Sequence, residues 1–291
     1  MLDRQTTVNG VSFPNCVPTT GCWTFYAPQQ SSLNVWTNVG AASYNSGTIT
    51  IRRGLSKGFS FDFNYTLSHS IDNGGGAESG GGAFGGIMLD PYHYNAYRGS
   101  SDFDARHNLN ANVLYELPFG KGKTLFRNVG TFLDEIVGGW QVSMITRYHS
   151  GLPTSLFYGG LWPTNYAFGA VDYPINPQFS TTNRYDQRGN PGVFPNSVTA
   201  AANWLPMYSG ETGARAAVRL APLTNFDIAV AKSFKLPFEG QRLQLRAEAF
   251  NAFNHANFIN PSLDAASPST FGEYTMDAGP RVMQFGLRYE F

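Results

Sequence analysis

The chain has 291 residues, and its 20 basic side chains balance its 20 acidic ones, so the charge does not indicate a nucleic-acid partner. Charged residues make up only 14% of the sequence and aromatic residues 15%, which is unusual for a soluble domain. With 32 Gly and 17 Pro, this composition favours a β protein with long loops. No apolar run approaches the ~18 residues of a membrane helix, but alternating barrel strands would not produce such a run.

Residues 1–43 are rich in Asn, Thr, Pro and Gly and are predicted to form an external loop segment. Cys16 and Cys22 are the only cysteines. In an exported protein this spacing favours a small disulfide loop, with two unpaired thiols as the alternative, and a metal site would need ligands that are missing nearby. The first residues lack the basic flank and apolar core of an export signal, so we expect the chain to be part of a longer one.

Apolar and polar residues alternate in seven segments, and a period of two is typical of strands with one apolar face. The clearest example runs from Phe59 to Leu67, where every second residue is aromatic or Leu. At ~3.3 Å per residue and a tilt of ~40°, such a strand crosses an apolar band of ~25 Å. The predicted strands cover about residues 44–55, 59–68, 108–117, 140–149, 226–234, 242–249 and 283–291.

The predicted connections alternate in length. Those after residues 55 and 236 are short, the one after 117 is intermediate, and those after 70, 150 and 254 are long. Outer-membrane barrels have short periplasmic turns and long external loops, so this order predicts a periplasmic C-terminus.

The last strand ends on an aromatic residue and alternates up to its terminus. This pattern is similar to the sorting signal of outer-membrane barrels, which predicts recognition by the barrel-assembly machinery and insertion in outer-membrane lipid. The predicted insertion signal consists of Phe285, Leu287, Tyr289 and Phe291.

The opposite face of the predicted strands carries charged residues. In a large barrel such residues face the lumen, where they pair with each other, with a plug or with water, and we expect them to be solvating rather than catalytic. The predicted lumen-facing residues are Asp62, Arg242, Arg246, Glu248, Arg288 and Glu290.

Three groups of loop residues allow both a functional and a structural interpretation. One group consists of Asp102, Asp104, Arg106 and His107. Its carboxylates and imidazole could bind a metal, but Arg106 would compete with the metal as an ion-pair partner, so we predict that the group anchors a loop. Asn251, Asn254, His255 and Asn257 are predicted to form side-chain turns. The loop aromatics could capture a ligand or only pack the loops; these are Trp162, Tyr166, Tyr173 and Trp204.

Several segments resemble, in the same order, the end of Oar-like TonB-dependent receptors, outer-membrane proteins with an N-terminal carboxypeptidase-regulatory-like domain. The resemblance covers about residues 44–291. It implies a barrel of about 22 strands filled by an N-terminal plug, and a box that engages the inner-membrane energy-coupling protein; the plug, the box and the remaining strands are missing from this chain. The segments that carry it include Arg53–Phe59, Tyr65–Asp72, Ser101–His107, Tyr115–Gly120, Gly138–Gln141, Ser150–Pro153, Arg246–Phe258 and Gln284–Gly286.

The sequence therefore predicts an all-β protein, the C-terminal portion of a large transmembrane β-barrel, with the barrel part at residues 44–291. We expect it to lie in the bacterial outer membrane and to take part in importing a ligand, with no cofactor, no metal and no catalytic activity. Two alternatives remain at this point: a structural or adhesive barrel without transport, and a soluble all-β carbohydrate-binding or hydrolase domain.

Overall fold

The computed structural model describes residues 6–8, 11–13, 38, 40–74, 93–157, 171–182, 184–205, 213–237 and 240–291. The predicted disulfide between Cys16 and Cys22, and the loop aromatics Trp162 and Tyr166, lie outside the described residues.

The architecture is dominated by one antiparallel sheet of seven long strands. They are β3 (Ala42–Ser56), β4 (Phe59–Asp72), β6 (His107–Glu116), β7 (Trp140–His149), β12 (Leu223–Lys235), β13 (Arg242–Phe250) and β16 (Val282–Glu290). Each strand pairs with its neighbour along the chain, in the order β16-β13-β12-β7-β6-β4-β3. The seven predicted strands are confirmed, with bounds that differ by a few residues.

Shorter elements lie in the connections. The strands are β1 (Thr6–Val8), β2 (Val11–Phe13), β5 (Gly99–Ser100), β8 (Pro153–Thr154), β9 (Tyr173–Pro174), β10 (Trp204–Leu205), β11 (Val218–Arg219), β14 (Phe258–Pro261) and β15 (Tyr274–Asp277). Within the described ranges, the helices are α1 (Thr131–Val137), α2 (Ser197–Ala201) and a 3₁₀ helix (Tyr94–Tyr97).

The turn between β3 and β4 shows how the sequence produces a tight hairpin. Lys57 and Gly58 both have positive φ, 52° and 78°, the conformation that two-residue hairpin turns require. A Cβ on Gly58 would lie 3.2 Å from the carbonyl oxygen of Glu116, the last residue of β6, so glycine also allows β6 to approach the turn closely.

The connections divide between the two ends of the sheet. The β3–β4, β6–β7 and β12–β13 connections, with the C-terminus, form one end, which we call the short-turn end. The β4–β6, β7–β12 and β13–β16 connections form the other, the long-loop end. This confirms the predicted alternation. The intermediate connection holds α1, which the strand periodicity does not predict.

The described part of the connection from residue 150 to 222 is mostly irregular, with four two-residue strands and one short helix. β8 pairs with β11 and β9 with β10, so the connection folds back on itself. Side chains from this connection and from the β13–β16 connection form a buried cluster, the loop core, comprising Leu156, Val193, Phe194, Ala201, Trp204, Val218, Ala265, Phe271 and Tyr274.

The sheet is open. Among the described residues, β3 and β16 each pair with only one long strand, on one side. Since every neighbouring pair is antiparallel and the sheet has seven strands, β3 and β16 run in the same direction.

Candidate functional site

One face of the sheet is apolar across its whole width, and we call it the apolar face. The register aligns side chains from six strands in a single row that runs Phe59, Tyr115, Val142, Val230, Ala247 and Phe285. The side chains on the outer strands are freely exposed, with Ile49 at 58%, Leu287 at 68% and Phe285 at 74%. An exposed apolar surface of this extent marks a membrane or protein contact.

The closing strand β16 presents most of the predicted insertion signal on this face. Phe285, Leu287 and Tyr289 pair with Ala247, Leu245 and Leu243 of β13. Tyr289 and Phe291 stack at the terminus, with ring centroids 6.0 Å apart. Recognition of these residues by assembly machinery stays a prediction.

The other face of the sheet, the polar face, carries ion pairs and amides. Arg52 Nε lies 2.5 Å from Asp62 Oδ2 across the β3–β4 pair. Asn64 Nδ2 donates a hydrogen bond to the same carboxylate. The Asp62 carboxylate is therefore compensated by an opposite charge and by a hydrogen bond.

The six residues predicted to face the lumen all lie on the polar face. Arg246 pairs with Glu248 along β13, with Nη2 2.6 Å from Oε1. Arg288 pairs in the same manner with Glu290 along β16, at 3.2 Å. The register places Arg242 directly beside Glu290. The structure thus gathers the last four of these charged residues with Arg242 into one patch.

At the long-loop end, aromatic rings hold the loop core together. Phe194 and Phe271 stack with their centroids 5.0 Å apart, and Phe179 meets Trp204 edge to face at 5.1 Å. Gly272, at φ 78°, permits this arrangement because a Cβ there would lie 2.5 Å from the Phe194 ring.

Two of the four loop aromatics predicted to contact a ligand lie in the described residues. Tyr173 is half-buried and pairs with Leu205 in the β9–β10 ladder. Trp204 is only 2% exposed and belongs to the loop core. The packing role is therefore the one that the structure shows for Trp204, and contact with a ligand stays a prediction for both.

Asp104 anchors the start of β6, which confirms the loop anchor for this residue of the predicted cluster; its ion-pair partner is Arg219, where Arg106 was expected. Its carboxylate accepts hydrogen bonds from the Ser70 amide at 2.8 Å and from Arg219 Nη2 at 2.5 Å, and lies 3.1 Å from His69 Nδ1. Burial alone would raise the pKa of Asp104, but these hydrogen bonds and the guanidinium outweigh it and lower the pKa. In the part of the chain that the structure describes, no three His, Cys, Asp or Glu side chains group as metal ligands.

Sequence reasoning missed the partners of this anchor. Arg219 belongs to the β7–β12 connection, and its Nη1 also donates to the carbonyls of Asp104 and Gly151, at 2.8 and 3.0 Å. Arg215, from the same connection, forms an ion pair with Asp72 at the end of β4. Two arginines therefore tie the longest loop to the β4–β6 connection, and no local sequence signal reveals such distant partners.

The loop core and the connections around it at the long-loop end form what we call the loop assembly, and Asp172 is a buried acid within it. It is 1% exposed, and neither carboxylate oxygen has a hydrogen-bond partner among the described residues. Burial, and then the nearby charge of Asp264, raise the pKa of Asp172 to about 8, so the side chain is mostly protonated at neutral pH.

Of the predicted side-chain turns after β13, the one at Asn251 is confirmed, whereas Asn254 and Asn257 bond to backbone groups of Arg281 and Thr224, which are distant in the chain. Asn251 and Asn254 both adopt positive φ, 49° and 51°. Asn251 accepts a hydrogen bond from the His255 amide and donates to the carbonyls of His255 and Gly279, while Asn257 accepts from the Thr224 amide at 2.8 Å. Asparagine tolerates left-handed backbone because its short amide bonds locally.

A two-faced antiparallel sheet with short turns at one end and long packed loops at the other defines a membrane-spanning β-barrel domain. The family model described as "Outer membrane beta barrel domain" matches residues 5–284, and the chain belongs to this family. No significant match was found among curated proteins or solved structures. No helix in the described ranges is long and apolar enough to cross a bilayer.

Proposed function

We propose that the chain forms part of the barrel of an Oar-like TonB-dependent receptor, which binds a ligand at the cell surface and imports it across the outer membrane. The observation that carries the proposal is the combination of an apolar face, a charged polar face and a packed loop assembly at one end of the sheet. The resemblance of residues 44–291 to the end of these receptors supports it.

The open edges support a larger barrel. Unpaired backbone groups at an edge are costly in lipid, so β3 and β16 need partners. Because these two strands run in the same direction, pairing them with each other would break the antiparallel pattern. An odd number of further strands between them restores it, and an even total is the rule for bacterial barrels. In this proposal the additional strands, and a plug, come from the remainder of the receptor.

The proposal assigns the polar face to the lumen. There Asp62, Arg242, Arg246, Glu248, Arg288 and Glu290 contact water and the plug, and the apolar face contacts outer-membrane lipid. The short-turn end and the C-terminus then face the periplasm, where the barrel-assembly machinery reads the closing strand. The long-loop end faces outward and captures the ligand.

Aromatic side chains at the long-loop end are available for capture. Tyr185 is 49% exposed and Phe253 is 66% exposed, although both also contact other rings, Phe258 and Phe226. The proposal includes no catalytic step. The two carboxyls at this end with the clearest roles, Asp104 and Asp172, are buried in loop packing.

A structural or adhesive barrel is the second candidate, because the loop assembly has a core of its own and could serve as a rigid adhesive surface. Partner capture from the native membrane separates the two candidates. The natural protein would be tagged within residues 75–86, cross-linked in growing cells and purified, with an abundant porin as the control. Import predicts that the energy-coupling protein is recovered with the tagged protein and not with the porin. Absence of this cross-link, together with a product that lacks a plug, would exclude import.

A further inference from the structure

Helix α1 has its polar and apolar sides reversed relative to a helix on a soluble protein. A surface helix normally turns its apolar stripe toward the core. Here the inward side chain is Asp134, whose Oδ1 accepts the Lys121 amide at 2.5 Å. The outward side chains are Phe132, Leu133 and Ile136, which are 81%, 53% and 55% exposed. No residue of α1 is buried.

The connection around α1 is built to hold this orientation. Trp140 Nε1 donates to the Ile136 carbonyl at 3.0 Å, and Lys232 Nζ donates to the Gly138 carbonyl. Gly120 packs so closely that a Cβ there would lie 2.6 Å from Asp134 Oδ1. The apolar side chains are therefore presented by a packed turn.

The outward apolar patch continues the apolar face of the sheet. Phe126, 58% exposed, meets Phe119 edge to face at 6.1 Å, and both line a shallow groove with Ile136 and Trp140. Trp140 is itself the first residue of β7, on the apolar face, where its neighbour in the register is Lys232. The apolar face therefore extends beyond the strand ends, onto the β6–β7 connection.

Charge identifies the depth at which this patch lies. Residues 118–130 contain three exposed basic side chains, Lys121, Lys123 and Arg127, and no acidic one. Lys123 Nζ lies 3.2 Å from Glu116 Oε2 at the end of β6, and α1 adds Asp134 and Glu135. The basic charge beside the patch therefore rests on Lys121 and Arg127. At the surface of a phospholipid leaflet, basic side chains contact the phosphates while a neighbouring apolar patch contacts the upper acyl chains.

We propose that the β6–β7 connection is an interfacial anchor, with Phe126, Phe132, Leu133 and Ile136 inserted at the boundary between headgroups and acyl chains and with Lys121 and Arg127 on phospholipid phosphates. The choice of leaflet rests on the proposed function, in which the short-turn end faces the periplasm, so the anchor lies in the periplasmic leaflet. The occupant of the patch is lipid and not another protein.

Spin labels test this placement. Single cysteines would replace Phe132, Phe285 or Val198 in the natural protein carrying Cys16→Ser and Cys22→Ser, reconstituted in vesicles of phosphatidylethanolamine and phosphatidylglycerol. Val198 is the matched control, because it is 57% exposed on the other helix, α2, at the long-loop end. Collision with oxygen, which concentrates in lipid, is compared with collision with a water-soluble nickel chelate.

The expected result is a high oxygen-to-nickel ratio at positions 132 and 285 and a low ratio at 198. A low ratio at 132 with a high ratio at 285 would overturn the anchor and leave the barrel intact. Low ratios at both would contradict the membrane-spanning sheet itself. A label at position 132 that is shielded from both reagents in native membranes, but that the nickel chelate reaches in vesicles, would be covered by a protein partner. That result would overturn the proposal. The change Phe132→Ser with Ile136→Ser, in a folded barrel, is expected to lower the ratio for a label at Leu133.

Discussion

Arg219 Nη2 lies 2.5 Å from Asp104 Oδ2, and this contact between residues 115 positions apart in the chain joins the β7–β12 connection to the β4–β6 connection. The Asp104 side chain is fully buried, whereas that of Arg219 is about a third exposed. Replacing Asp104 with Asn removes the charge and leaves Arg219 without its carboxylate. We expect the loop assembly to lose roughly 1–3 kcal/mol of opening free energy, measured by hydrogen exchange. The control Glu290→Gln, on a partly exposed pair at the other end of the sheet, is expected to change it by less than about 1 kcal/mol.

Acid is expected to weaken the same anchor. The folded-state pKa of Asp104 lies below its ordinary value of 3.8, so its contribution to stability is complete above pH 4. This contribution is lost as the pH falls through the lower, folded-state pKa. Opening of the loop assembly should therefore become easier below about pH 4 in the natural protein, and the Asp104→Asn variant should lack this part of the acid response. Equal acid responses in the two proteins would show that Asp104 is not the anchor.

Asp172 predicts the opposite pH dependence. Its folded-state pKa of about 8 lies above its ordinary value of 3.8, so folding favours the protonated acid. Between those two pH values the opening free energy of the loop assembly should fall as the pH rises, with at most the slope of a single proton, and level off above about pH 8. Asp172→Asn should remove this slope and protect the Ala214 amide, which donates to the Asp172 carbonyl. Hydrogen exchange, corrected for intrinsic rates, measures the difference between the two proteins.

Gly151 and Gly47 form a matched pair for testing backbone contact. A Cβ on Gly151 would overlap the carbonyl oxygen of Leu220, whereas a Cβ on Gly47 would meet no atom within 4 Å. We expect Gly151→Ala to shift the start of the β7–β12 connection and to destabilise the loop assembly by roughly 1–3 kcal/mol. Gly47→Ala should be neutral or slightly stabilising. Similar thermal stability of both variants would contradict the close approach at Gly151.

The turn after β13 depends on one amide. Asn251 is 8% exposed, and its side chain makes three hydrogen bonds to backbone groups of His255 and Gly279. Asn251→Ala leaves these groups unsatisfied and places alanine at φ 49°, so we expect a loss of about 2 kcal/mol or more. The exposed Asn260, also at positive φ, provides the control Asn260→Ala, for which we expect backbone strain of about 1 kcal/mol and the loss of one weak, exposed hydrogen bond to Met276 Sδ. Urea unfolding of the two variants in detergent compares them.

The sheet could be predicted from the sequence because its signal is local. Alternation from Phe59 to Leu67, or from Met283 to Phe291, requires no knowledge of the partner strand. The turn at Asn251 was predictable for the same reason. The ion pairs of Arg215 and Arg219 were not, since their partners lie 143 and 115 residues away. α1 could not be predicted with the same ease, because seven residues are only two turns of a helix, too few for the spacing of Phe132, Leu133 and Ile136 to stand out.

The most direct test of the membrane-spanning sheet is a cysteine scan of β4 in the natural protein, in native outer membranes, with a nitroxide at each position from Phe59 to Leu67. We expect a period of two, with oxygen collision highest at Phe61, Phe63 and Tyr65 and low at Asp62 and Asn64. A scan without alternation, with every position open to the aqueous chelate, would contradict the assignment of the apolar face to lipid.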